Sequence, residues 1–320
     1  MRKGLTGNSV FIAGLMAACS GLTGAQDYPH KTVRIVTSAP GGGTDFAARL
    51  VATGLTESLR QPVIVENRSG AVVSGQTVAK ASPDGYTVLL PGSSFWLGPL
   101  LQKMPYDPIT DFEPITITHS QPVVLVVHPT LPVKSVREFI EYARARPGEL
   151  NYGSTAVGSS SHLAAALFSS MTDIKMIHVP FKGGGGLSTA MLGGQVQLTL
   201  ATSASVVPHI KSGKLRGLGV ASAQTSALVP GIPTIASAGV SGFDASQRAG
   251  LFAPARTPPA VVNRLNRDVI QYLNRADVKE KFFDAGVEVV GSTPQELART
   301  VKGEMERMGK VIRDAGIRTD

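Results

Sequence analysis

Past residue 30 the chain alternates between short, largely apolar runs and longer stretches in which apolar residues recur every three or four positions. Runs at 33–36, 63–66 and 87–90 have the length and β-branched content of strands, whereas 45–59 and 75–81 carry the helical spacing. That βαβαβ order predicts a parallel sheet with helices on its faces. The breaks agree, since Arg60-Gln61-Pro62 stops one helix and Ser82-Pro83-Asp84-Gly85 supplies a tight reversal before the third strand.

A second α/β set begins with the apolar run 122–127. Ser135 is placed to cap a helix that buries Val136, Phe139, Ile140 and Ala143 and stops at Pro147-Gly148. Strand-like runs at 150–152, 176–179, 196–200 and 215–220 enclose helical segments at 161–170, 187–192 and 206–211. From Ala249 the pattern changes to one strand and three helices. Pro258-Pro259 opens the first, 278–284 is the second, and 294–315 follows a Ser292-Thr293 cap. A tail that is mostly helix cannot complete a sheet of its own, so it is expected to fold back on the first set, leaving the second as an insertion crossed twice. Two lobes joined in this way close around a ligand between them. The expected division is lobe 1 from 26–125 plus 251–320, lobe 2 from 126–250, and a ligand cleft between the two.

Composition narrows the setting. Of 320 residues, 42% are hydrophobic and 17% charged, enough for one large core or two moderate ones, and a disordered or fibrous chain is excluded. Residues 1–25 read as an export signal: Arg2 and Lys3 precede a short apolar stretch at 10–18, and Thr23-Gly24-Ala25 offers a small-residue cleavage site. The apolar stretch is too short to span a bilayer. A periplasmic location is expected, with lipid anchoring at Cys19 as the alternative, because Leu15-Met16-Ala17-Ala18 leads into that cysteine. Cleavage after Ala25 leaves no thiol for a disulfide, a catalyst or a metal site. The formal charge of +8 falls to about +6 without Arg2 and Lys3, which suits mild steering of small anions. The basic residues are dispersed, with no aromatic-interleaved run for nucleic acid and no cluster for a membrane surface.

Three loops rich in glycine or serine fall at the expected carboxyl ends of strands, where α/β sheets bind ligands and helix starts offer free N–H groups. They are Pro40-Gly41-Gly42-Gly43-Thr44-Asp45, Pro91-Gly92-Ser93-Ser94, and the segment from Gly153 through Ser154, Gly158 and Ser160 to His162. Each has a plain alternative as a turn. The first lacks the later glycine of a dinucleotide fingerprint and the Lys-Ser or Lys-Thr of a phosphate loop, which leaves a small organic anion. His162, after three serines, also permits a nucleophile and base, so an α/β hydrolase or transferase at the Ser160/His162 loop is the alternative function. No G-x-S-x-G surrounds a serine. His119, His128, His178 and His209 lack metal-ligand spacing, and neither a metal nor a cofactor is expected. Asp45 suits a helix start and is expected to orient its loop. Lys182, beside four glycines, either meets an anion or is solvated.

At these residues the chain resembles the Bug proteins, the periplasmic substrate-binding subunits of tripartite tricarboxylate transporters. The resemblance rests on an ordered set of motifs: Tyr28-Pro29, the Pro-Gly-Gly loop with Asp45 and Arg49, Val65-Glu66-Asn67-Arg68 with Gly70-Ala71, Pro83-Asp84-Gly85-Tyr86-Thr87, and Tyr106-Asp107-Pro108. It continues through Asn151-Tyr152, Gly158-Ser159 with His162-Leu163, His178-Val179-Pro180, Leu192-Gly193-Gly194-Gln195, Phe252-Ala253-Pro254 and Ala315-Gly316-Ile317. What it implies is a two-lobed, type II-like periplasmic-binding-protein fold, each lobe a doubly wound sheet flanked by helices with a two-crossing hinge. The implied function is a monomeric receptor that binds a dicarboxylate, tricarboxylate, acidic amino acid or aromatic acid and delivers it to a membrane permease, without catalysis. Presentation of the bound solute to a membrane sensor would use the same site.

The resemblance also implies that Pro40, Gly41, Gly42, Thr44, Ser154, Gly158, Ser160 and His162 lie in the two carboxylate-holding loops, with Asp45 as the loop aspartate. Ser93, Thr202 and Ser203 are placed near the cleft by their strand-end positions. The chain departs from the family pattern at Val72-Val73, at Phe181 and at Arg248. Arg248, where a tryptophan is usual, either faces the cleft and meets a second carboxylate or is a solvated arginine at a domain edge.

Overall fold

The structure, a computed structural model, describes residues 1, 28–37, 40, 43–68, 71–181, 183–314 and 316–317. All of the expected export signal except Met1, and with it Cys19, lies outside the described residues, as do Gly41, Gly42 and Lys182.

β1 (Val33–Thr37), α1 (Gly43–Leu59), β2 (Val63–Asn67), α2 (Ala71–Ala79) and β3 (Thr87–Leu90) form a βαβαβ unit in which β1 pairs in parallel with both β2 and β3. After the short α3 (Ser94–Leu97) comes β4 (Phe112–Gln121), which the apolar pattern did not predict. Pro114 interrupts the run, and Thr116, Thr118 and His119 are polar yet at most 2% exposed. Helices cover both faces of the sheet, so these groups find partners inside: the Ser292 N–H donates to Thr116 Oγ1 (2.8 Å) and Thr118 Oγ1 to the Ala249 carbonyl (3.2 Å).

Pro122 separates β4 from β5 (Val123–Val127), and with it the chain changes sheets. α4 (Val136–Arg144) follows its cap, the Ser135 hydroxyl accepting from the Glu138 N–H at 3.1 Å. Then come β6 (Asn151–Ser154), α5 (Ser160–Thr172), β7 (Ile177–Pro180), α6 (Gly183–Leu192), β8 (Leu198–Thr202), α7 (Ser203–Lys211) and β9 (Arg216–Val220). β10 (Gln247–Pro254) returns to the first sheet, followed by α8 (Pro259–Leu273), α9 (Ala276–Asp284), β11 (Glu288–Val289) and α10 (Pro294–Asp314). The sheet orders are β11-β4-β10-β3-β1-β2 and β7-β6-β8-β5-β9. Both are mixed: β10 runs antiparallel to β3 and β4, and β5 runs antiparallel to β8 and β9. The sheets exchange the chain at Pro122 and ahead of Gln247, so divisions after 125 and 250 fall inside β5 and β10.

One core cluster packs α1 and α8 on the first sheet through Ile35, Val51, Leu55, Leu90, Leu265 and Val269. A second runs from Phe95, Trp96 and Phe252 past Met308 and Ile312 of α10 to Leu163, Leu167 and Phe139 beyond the hinge. α10 packs on both β4 and α5, which joins the two halves on one side. The third lies between the second sheet and helices α6 and α7, built from Val124, Val126, Leu187, Met191 and Val206. Among the described residues no helix is long and apolar enough to cross a membrane.

Candidate functional site

In the second half, β6 and β8 run parallel side by side and end at Ser154 and Thr202, so α5, α6 and α7 all begin near one point. A cavity of about 150 Å³ opens there, with Thr155, Ser160, Ser161, Gly184, Thr202 and Ser205 among its lining residues. Hydroxyls and helix N-termini dominate that rim, and both suit an anion.

Much of the 154–162 loop is engaged with itself. Ser154 Oγ donates to the Ala156 carbonyl (2.9 Å) and lies 2.6 Å from His178 Nε2, while the Thr155 N–H donates to Ser161 Oγ (3.1 Å). Gly158 takes a φ of +74°, which a side chain would resist, and its N–H donates to His162 Nδ1 at 3.0 Å. That bond uses the Nδ1 lone pair. The imidazole stacks on His178 at 3.8 Å, and His178 stacks in turn on Tyr152 at 4.9 Å. Burial, with His178 as the lesser cause, pushes His162 down from an ordinary value near 6.5 to about 4. His162 lines a separate groove with Asp173, Lys175 and Asp314, while Ser160 lines cavities that His162 does not reach. Among the described residues no hydrogen bond joins Ser160 to His162.

The first half presents the start of α1 and the segment after β3. Thr44 lies in the first turn of α1; a Cβ on Gly92 would sit 3.7 Å from Thr44 Oγ1 and 3.9 Å from Gln247 Nε2. Asp45, 5% exposed, accepts from Asn67 Nδ2 at 2.7 Å and from Arg49 Nε at 3.2 Å, tying the α1 start to the end of β2. Pro40 is exposed in the turn before them. Ser93 and Ser160, one from each half, both line a small cavity that Asp244, Gln247, Glu304 and Arg307 also line.

Two of the expected site residues serve the hinge. Ser203 Oγ donates to the Gly286 carbonyl (3.1 Å), a contact between the halves. Arg248 is partly buried and doubly paired: its NH1 bonds Glu304 Oε1 at 2.5 Å and its NH2 bonds Asp244 Oδ2 at 2.7 Å. Glu304 Oε2 in turn accepts from Trp96 Nε1 (2.8 Å), and Asp244 Oδ1 from the Ser246 N–H (3.0 Å). All four carboxylate oxygens are therefore engaged. Despite the cost of burial, these acids hold the Arg248 guanidinium above its usual value, and Arg248 holds Asp244 below its own. Arg307 Nε, in the same region, is buried and finds no hydrogen-bond partner among the described residues.

Sequence reasoning missed Gln121, which faces Gln247 across the β4–β10 ladder where the chain crosses. The signal was present in Gln121-Pro122, but only a recognised β4 turns it into a crossing. Ser205 was missed because α7 starts at Ser203, before the apolar period at 206–211 begins.

Known proteins give the arrangement its context. Residues 47–317 match the model of the tripartite tricarboxylate transporter family receptor. The chain is 35% identical over 314 residues to protein BugT of Bordetella pertussis, covering 95% of this chain and 96% of that one. Among solved structures it resembles R. palustris Rpa4515 with adipate, at 36% identity and a TM-score of 0.77 over 92% of this chain and 100% of the other. MatC of Rhodopseudomonas palustris, with bound malate, matches at 31% identity and a TM-score of 0.73, over 89% of this chain and all (100%) of that one. The chain belongs to the tripartite tricarboxylate transporter family of receptors, with the Bug proteins among its relatives.

Proposed function

We propose that the protein is a periplasmic receptor that binds a small carboxylate between its halves and delivers it to a tripartite tricarboxylate-type permease, without chemical change. One observation carries the reading: the starts of α5, α6 and α7 and the hydroxyls of Thr155, Ser160, Ser161, Thr202 and Ser205 surround a single opening. Such a rim stabilises an anion through N–H dipoles and neutral donors, with no need of a formal cation. Thr44 and Ser93 supply the facing groups, Asp45 fixes the α1 start, and Pro40, Gly41 and Gly42 are further candidate contacts for the carboxylate. Ser154, Gly158 and His162 act by shaping the opposite loop. Ser203 and Arg248 hold the crossing between the lobes. The adipate and malate seen in the two relatives make carboxylates the ligand class to test first.

Thermal denaturation in the presence of acetate, malate, adipate and benzoate tests this, because a ligand that binds only the folded state raises the melting temperature. At least one carboxylate is expected to do so, and its neutral amide is not. Ser160→Ala is expected to weaken the bound carboxylate about fivefold, equivalent to loss of ~1 kcal/mol for one hydrogen bond. Hydrolysis of an ester or amide with no carboxylate binding overturns the reading.

A further inference from the structure

The rim described above is polar, but the cavity beneath it is not. Its walls are Leu187 and Met191 of α6, Val206 of α7, Leu200 and Ala201 of β8, Leu215 and Val123. Leu187, Met191, Val206, Leu215 and Ala201 belong to the core cluster between the second sheet and these two helices, so the hollow penetrates a packed apolar layer. Close-packed interiors leave few voids larger than a water molecule. Rim and hollow together measure about 150 Å³. Apolar cavities of roughly 150 Å³ stay dry and accept a benzene-sized group. Among the described residues no lysine, arginine, aspartate or glutamate lines the hollow, and His209, Thr199 and Ser188 are its polar groups below the rim, so a second carboxylate placed there would lose its hydration and meet no fixed charge among them.

We infer that the cavity between α6, α7 and β8 is an apolar subsite that takes the ring or branched hydrocarbon body of a monocarboxylate, whose charged end stays at the hydroxyl rim. The inference rests on the receptor reading and narrows its substrate class, from carboxylates in general to those with one charged end and a compact apolar end. Ser188 stands on the α6 side of the hollow and is half-buried, so Ser188→Leu adds volume there while keeping a good helix former. Ala201 faces the same layer from β8, and Ala201→Leu narrows the hollow from the opposite wall.

Isothermal titration of the mature protein with benzoate, acetate, malate and adipate decides the matter. The expected result is benzoate binding at least tenfold tighter than malate or adipate. In Ser188→Leu or Ala201→Leu, each checked for a cooperative melt, the ratio of benzoate to acetate affinity should fall at least tenfold. Malate or adipate binding as tightly as benzoate overturns the apolar subsite while leaving the receptor intact. An unchanged benzoate-to-acetate ratio in both folded variants does the same. Failure of all four acids to bind the unsubstituted protein overturns the receptor reading and the subsite together.

Discussion

His119 sits on β4, 2% exposed, beside Thr118 Oγ1 at 3.0 Å and facing Phe282 with ring centres 6.0 Å apart. Burial pushes it down from near 6.5 to about 4. The unfolded chain therefore takes up a proton below pH 6.5 that the folded chain refuses until about pH 4. Stability from this group is complete above pH 6.5, falls between 6.5 and 4, and levels off below, at a cost of up to ~3 kcal/mol. His162 adds to the loss in the same window. His119→Leu is expected to raise the melting temperature at pH 4.5 more than at pH 7.5, as read from melts across that range. Gly153 is a different case, because its role is space: a Cβ there would overlap Leu187 of α6 and lie 3.1 Å from Val196. Gly153→Ala is expected to cost about 1 to 3 kcal/mol in urea unfolding with an unchanged slope.

Elements were legible where one pattern governed them. β3 was expected at 87–90 and spans Thr87–Leu90, because a short β-branched and apolar run between turn signals leaves little choice. α4 announced itself by a cap and a wide apolar stripe. Ser135→Ala is expected to destabilise by about 1 kcal/mol, measurable by chemical denaturation, since the Glu138 N–H loses its acceptor. α6 was expected only from 187 although it begins at Gly183, because glycines carry no apolar period. β4 escaped because its polar residues bond across the sheet and to the Gly291-Ser292 turn, partners that exist only after folding. The glycine and hydroxyl loops of the site were readable as strand-end features. The separate fates of Ser160 and His162 were not, since two residues on one helix turn face different cavities.

For the molecule as a whole, the crossing between the lobes is a ladder of β4 and β10 braced from one side by α10. Arg248, on the returning strand, reaches both Asp244 and Glu304 of that brace region. Removing it leaves two acids with their strongest partner gone, so Arg248→Gln is expected to cost about 3 kcal/mol in thermal or urea unfolding. As a brace it should also weaken acetate and malate binding by the same factor. A selective loss of malate would place Arg248 against a second carboxylate instead.

Trp96 gives that brace a voice. It is the chain's single tryptophan, fully buried, and its indole N–H is held by the same Glu304 that grips Arg248. Any motion of one lobe about the crossing that shifts Glu304 changes the polarity felt by the indole. Under the proposed receptor function Trp96 is an intrinsic optical gauge of closure: ligand addition should shift Trp96 emission, Glu304→Gln should blunt the shift, and stopped-flow traces of it would time the motion without any attached dye.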